Sequence, residues 1–126
     1  MSKKNKLPVC KGEIYHDKTG IYDICKIREL SENNPTVRIP LSSLTNYLKE
    51  KEFDNYSIQD IFNDTDKYQK EMKIIKNVDL RYPILRYKDH IIDGNHRLAK
   101  AFLEGKENIK VKYITKEQME TAKDKK

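Results

Sequence analysis

The sequence has no long hydrophobic run and only two cysteines, and each shortage removes a class of protein. A membrane-spanning helix needs about 20 consecutive apolar residues, so a membrane is not an expected partner. The opening stretch MSKKNKLPVCKG is basic but has no apolar core of the length a secretory signal requires, and the expectation is a cytoplasmic protein. Cys10 and Cys25 are too few for a disulfide framework, and no CxxC or Cys/His spacing offers a zinc site. Both read as reduced, packed thiols, and no set of metal ligands is expected.

Acids are also in short supply, 20 against 26 basic residues, but the +6 excess is unevenly placed. Lys3, Lys4, Lys6 and Lys11 face no acid in the first eleven residues, whereas residues 12–114 are close to neutral. A basic tail attaches loosely to polyanions by counterion release and specifies no sequence. Weak nucleic-acid contact through this tail is therefore one candidate partnership, and plain solubility is the other reading.

What is present fits one small domain. The 126 residues have room for a single core, and a mean hydropathy of -0.91 implies a thin one. Residues 1–7 read as a disordered basic tail, 8–114 as the domain, and 115–126 (TKEQMETAKDKK) as a frayed polar helix or tail. Within EIYHDKTGIYDI the cluster Asp17-Lys18-Thr19-Gly20 separates two strand-like segments, which is a hairpin signal. From Thr36 the pattern predicts a short strand, a helix capped by Ser42 or Ser43 with Leu44, Tyr47 and Leu48 on one face, and an ambiguous stretch over 53–64. A second helix, starting at Asp64 or Thr65, carries Tyr68, Met72 and Ile75. RYPILRY and HIIDG follow as a strand pair around Lys88-Asp89. A helix from His96 to Glu104 is closed by Gly105, and a half-exposed strand NIKVKYI comes last. The order predicts an α+β fold, a small mixed sheet with helices packed on one face.

One stretch, IIDGNHRLAKAF at 91–102, sets a charge problem. Asp93-Gly94-Asn95 is a turn cluster after a strand, so His96 and Arg97 fall in the first turn of a helix, where the dipole already places positive charge. An anion lying between the helix amides and these side chains removes the conflict. Gly94 allows a close backbone approach, Arg97 offers a fork to phosphate oxygens, and His96 offers a further hydrogen bond. The alternative is that Arg97 pairs with Asp93 four residues back while His96 faces solvent, with no ligand at all.

The stretch VRIPLSSL followed by helices, and then YPILRYKDHIIDGNHRLAKAFLEGKENIKVKYI, resembles the ParB/sulfiredoxin superfamily, whose members carry a DGxHR-type strand-loop-helix motif. The match spans about residues 36–114. The resemblance implies that Gly94, Asn95, His96 and Arg97 contact the phosphates of a nucleotide, ATP or CTP, with Mg2+ carried on it. Sulfiredoxins place a cysteine before the His-Arg pair where this chain has Asn95, so sulfinic acid repair is not expected. Chromosome-partition relatives continue into a helix-turn-helix and a dimerisation domain, and no room for either follows Ile114. A second arginine-rich box is also missing, which leaves cytidine specificity without support.

The expectation is thus a nucleotide-binding domain acting as an NTP-dependent phosphotransferase or NTPase. Arg97 would neutralise charge, His96 would move a proton, and Asp93 would serve as base or metal contact. Glu13, Glu50 and Asp54 are candidates for a second carboxylate. A non-catalytic nucleotide-sensing or DNA-associated module, or a ParB-like nuclease, is the alternative, and the near-neutral body offers little for duplex DNA.

Overall fold

The computed structural model describes residues 10, 12–51, 53 and 55–124, so the expected tail over 1–7 and Asp54 lie outside the described residues. The fold is α+β, as the pattern implies, with two sheets where one was expected. The described residues fall into two compact units, one from within 10–35, 85–93 and 112–124, the other from within 36–84 and 94–111.

In the first unit the hairpin forms as expected. Strand β1 (Ile14–Asp17) pairs antiparallel with β2 (Gly20–Asp23), and Asp17 accepts hydrogen bonds from the Thr19 amide and hydroxyl to shape the turn. Helix α1 (Ile24–Leu30) follows, capped by Asp23, whose side chain accepts from the Lys26 amide. Cys25 on α1 is joined to Cys10 in a disulfide, which corrects the expectation of two separate thiols. The pairing could not be read from spacing, because it depends on the hairpin turning the chain back between the two residues.

Of the two readings for the end of the chain, a frayed polar helix or a tail, the helix forms, and it is packed. Residues 116–122 form helix α5 (Lys116–Ala122), opened by a reciprocal capping box between Thr115 and Gln118. Met119 and Ala122 are buried with Tyr22, Ile24, Ile27, Leu85, Ile92 and Ile114 in the core of this unit. The Gln118 amide group donates to the Leu30 carbonyl and the Asn34 side chain, tying α5 to the end of α1. A polar tail would have had no reason to bury Met119.

In the second unit β3 (Thr36–Pro40) leads into the expected helix, Leu41–Lys49, which is a 3₁₀-helix and starts after Pro40 with no side-chain cap, not at Ser42 or Ser43. Two side-chain hydroxyls reach back within this tighter winding. Ser43 donates to the Pro40 carbonyl at 2.6 Å and Thr45 to the Ser42 carbonyl at 3.5 Å, both three residues back, in competition with longer-range helix bonds. Leu41, Leu44 and Tyr47 are buried. Helix α2 (Ile58–Asn63), within the ambiguous stretch, is fixed by a Ser57/Asp60 capping box. Helix α3 (Gln69–Asn77) begins later than expected, because the Asp64 side chain and carbonyl accept from the Lys67 and Tyr68 amides and hold a turn there. Met72 and Ile75 are buried as the spacing predicts.

Strands β4 (Ile84–Tyr87) and β5 (His90–Asp93) turn at Lys88-Asp89 with Lys88 at φ 53°, and the pair is antiparallel. A register shift between Leu85 and Arg86 breaks the alternation of β5, which lets adjacent Ile91 and Ile92 both be buried. Helix α4 (Asn95–Leu103) ends as the sequence indicates. The Gly105 amide donates to Phe102, the Lys106 amide donates to Ala101, and Gly105 takes φ 65°. Strand β6 (Asn108–Tyr113) buries Ile109 and Val111 but leaves Tyr113 exposed. The larger sheet has the strand order β3-β6-β4-β5. Among the described residues no helix is long and apolar enough to cross a membrane.

Candidate functional site

The loop begins where β5 ends. Asp93 belongs to the first unit, and its Oδ2 accepts from Arg28 Nε at 2.7 Å with both side chains mostly buried. Arg28 also lies 3.5 Å from Glu13 Oε1. Burial works to lower the pKa of Arg28, but the hydrogen bond and charge of Asp93, helped by Glu13, outweigh it, and the guanidinium is held more firmly charged than usual. The sequence offered no sign of this pairing, since 65 residues separate the partners.

The other loop residues lie in the second unit. Gly94 stands at φ 107°, and a methyl group in its place would meet Ile84 Cγ2 at 2.8 Å and Arg97 Nη2 at 3.0 Å. The position therefore requires glycine twice over, for its backbone angle and for its lack of a side chain. No side chain caps α4, in contrast to α1, α2 and α5, so no capping hydroxyl or carboxylate stands at the front of its first-turn amides. Arg97 is only 8% exposed and its guanidinium folds back beside Gly94. Asn95 Oδ1 is buried and accepts no hydrogen bond from the described residues.

His96 is oriented by a residue absent from the sequence reading. Its Nε2 lies 2.7 Å from Oε1 of Glu71 on α3, and Oε2 of the same carboxylate accepts from the Tyr56 hydroxyl at 2.6 Å. Burial alone would raise the pKa of Glu71, yet the hydrogen bonds from Tyr56 and His96 and the charges of His96 and Lys70 hold it below the ordinary 4.5. An ionised carboxylate can only accept, so Nε2 carries the proton and Nδ1 is the atom that can take one up. The Phe53 ring packs edge-on to the imidazole at 5.0 Å, and Tyr56 stacks beside Phe53.

The structure therefore brings Gly94, Asn95 and Arg97 to the start of α4 and sets His96 against Glu71, while Asp93 is held by Arg28. Of the carboxylates considered from sequence, Glu13 stands with Arg28 and Glu50 lies on the surface. Glu71 could have been found from spacing, because it is three residues after Tyr68 and four before Ile75, on the edge of the stripe that α3 turns inward. Compared with protein-family models, curated proteins and solved structures, the chain finds no match in any of the three.

Proposed function

We propose that Gly94–Arg97 binds the phosphates of a nucleoside triphosphate, ATP or CTP, and that His96 moves a proton in phosphoryl transfer to water or to a hydroxyl acceptor. The observation that carries this reading is the place of Arg97, a residue only 8% exposed in the first turn of α4, beside a glycine that permits close backbone approach. An anion at this turn gains from the helix amides and from the guanidinium together. The buried acceptor Asn95 Oδ1 is suited to a donor on the ligand, such as a ribose hydroxyl or base amine. The ParB/sulfiredoxin resemblance of DGNHR supports the same placement. Gly94–Arg97 contains no carboxylate, so Mg2+ would arrive on the nucleotide's phosphates and not be held by this loop.

With Asp93 paired to Arg28, the base role passes to His96 oriented by Glu71. The same ion pair favours a second reading, a nucleotide-sensing module without turnover, because the motif's own carboxylate is already engaged. A panel of nucleotides with magnesium separates the two. A ligand at 100 times its dissociation constant stabilises a fold by roughly 2.7 kcal/mol, which a melting curve resolves. Stabilisation by a triphosphate with product formed supports the enzyme, and stabilisation without product supports the module. No stabilisation by any triphosphate rejects both.

A further inference from the structure

Away from the loop, three metal-ligating side chains converge in the first unit. The sulfurs of Cys10 and Cys25 and a carboxylate oxygen of Glu13 all lie within 4.8 Å of one another. The cysteine Cα atoms are 5.6 Å apart, and Cys10 Sγ is 3.2 Å from Glu13 Oε1. A disulfide sulfur has no proton to donate, so that contact becomes a hydrogen bond only when the pair is reduced. We propose that the reduced chain holds a thiophilic divalent ion of the zinc class on Cys10, Cys25 and Glu13, and that this ion and the disulfide are alternative occupants of one position.

The geometry needs little change. Tetrahedral zinc with bonds of about 2.3 Å to sulfur and about 2.0–2.2 Å to oxygen sets its ligand atoms roughly 3.5–3.8 Å apart. The Cys10–Glu13 spacing of 3.2 Å is already close to that value. The sulfurs must separate by ~2 Å once their bond is cut, a movement that rotation about the Cα–Cβ bonds supplies. Hairpin β1–β2 fixes the frame, since Cys10 and Glu13 precede β1 and Cys25 follows β2. Arg28 Nη2, 3.5 Å from Glu13 Oε1, serves as the outer partner that orients a ligating carboxylate and offsets the negative charge of two thiolates and a carboxylate. Three protein ligands leave a fourth position for water.

The chemistry balances. A phosphine reductant breaks the S–S bond, takes an oxygen atom from water to become a phosphine oxide, and leaves two thiols. Binding a divalent ion then displaces the two thiol protons. In a reducing compartment the thiol form is the one maintained, and there the site would be open to metal.

The test uses the full chain, reduced with a phosphine, freed of reductant without air, and titrated with Co2+ and then Zn2+. The expected result is one Co2+ per chain, with a thiolate-to-cobalt charge-transfer band and the visible bands of a tetrahedral ion, both lost on adding Zn2+. The oxidised chain should show neither band. Cys10→Ser and Cys25→Ser should each weaken the charge-transfer band sharply. Glu13→Gln, at an exposed position whose loss leaves the core intact, should keep that band but lower Co2+ affinity on the order of tenfold or more. Absence of the band in the reduced chain, or its survival in both cysteine variants, overturns the proposal. Unchanged affinity in Glu13→Gln overturns the three-ligand site.

Discussion

His96 Nε2 and Glu71 Oε1 meet at 2.7 Å, although α3 and α4 bring them together from positions 25 residues apart. The contact sets the tautomer of the imidazole and, through Tyr56, anchors the carboxylate from its other oxygen. If phosphoryl transfer runs through His96, His96→Asn should lower turnover by ~10² to 10⁴ while triphosphate affinity falls modestly. Glu71→Gln should lower turnover as well, by less, because the imidazole remains but loses its orienting charge. Product formation with each variant at saturating nucleotide checks this, and unchanged turnover in both would move the chemistry off this pair.

The same carboxylate predicts a pH effect on stability. Glu71 ionises more readily in the fold than the ordinary 4.5, so its folded state is favoured above 4.5 and that advantage is lost as pH falls through the depressed value. The melting temperature of the unmodified protein should exceed that of Glu71→Gln near neutrality, and the gap should close as the solution is acidified below 4.5. A gap independent of pH would mean that shape, and not charge, holds the contact.

Some of this was legible in the sequence because local chemistry dictates it. The Asp17–Gly20 turn, the Lys88-Asp89 turn, and the closure of α4 by Gly105 are each decided by a few neighbouring residues. Helix α5 was legible only as a frayed polar helix or tail, and its packing was not, because Met119 and Ala122 are two small commitments in a run of lysines and acids, and only the core they join gives them meaning. The late start of α3 followed from a competing Asp64 turn, and the 3₁₀ winding at 41–49 is accompanied by hydroxyls donating three residues back. At the site, Gly94 and Arg97 could be placed from the strand-turn-helix pattern. The partner Arg28 could not, since its contact joins segments distant in the chain, and Glu71 could be placed on the inward edge of α3 but not against His96.

Gly94 offers a test of the loop that needs no ligand. Gly94→Ala should cost about 1–2 kcal/mol for the backbone angle and a further ~1–3 kcal/mol for crowding against Ile84 and Arg97. Gly105→Ala should cost only the first part, because nothing lies within 4 Å of the added methyl group. Denaturant midpoints of the two variants make the comparison. Equal losses would show that the Gly94 turn has slack that the contacts at 2.8 and 3.0 Å do not suggest.

Met119→Ala should destabilise by about 2–5 kcal/mol, the range for emptying a buried methionine site. Glu120→Ala, one residue on and exposed, should stay within about 0.5 kcal/mol of the unmodified protein. Chemical denaturation measures both. A negligible loss in Met119→Ala would return residues 115–124 to the status of a tail.

The decisive measurement for the loop is a comparison of two cations. Arg97 is buried in the first turn of α4, whereas Lys106 is exposed beyond its end and paired with Glu104 at 3.6 Å. If triphosphate binds at Gly94–Arg97, Arg97→Ala removes a charge-assisted contact worth about 1.5–3 kcal/mol, or roughly 10- to 100-fold in affinity, while Lys106→Ala leaves affinity nearly unchanged. Because removing a buried guanidinium also loosens packing, affinity should be measured well below the melting temperature of each variant. Arg97→Lys belongs beside them. A lysine keeps the charge but loses the planar fork, so it should recover part of the binding and not all of it. Equal affinities for Arg97→Ala and Lys106→Ala would remove the loop as the phosphate site, whatever nucleotide the protein binds.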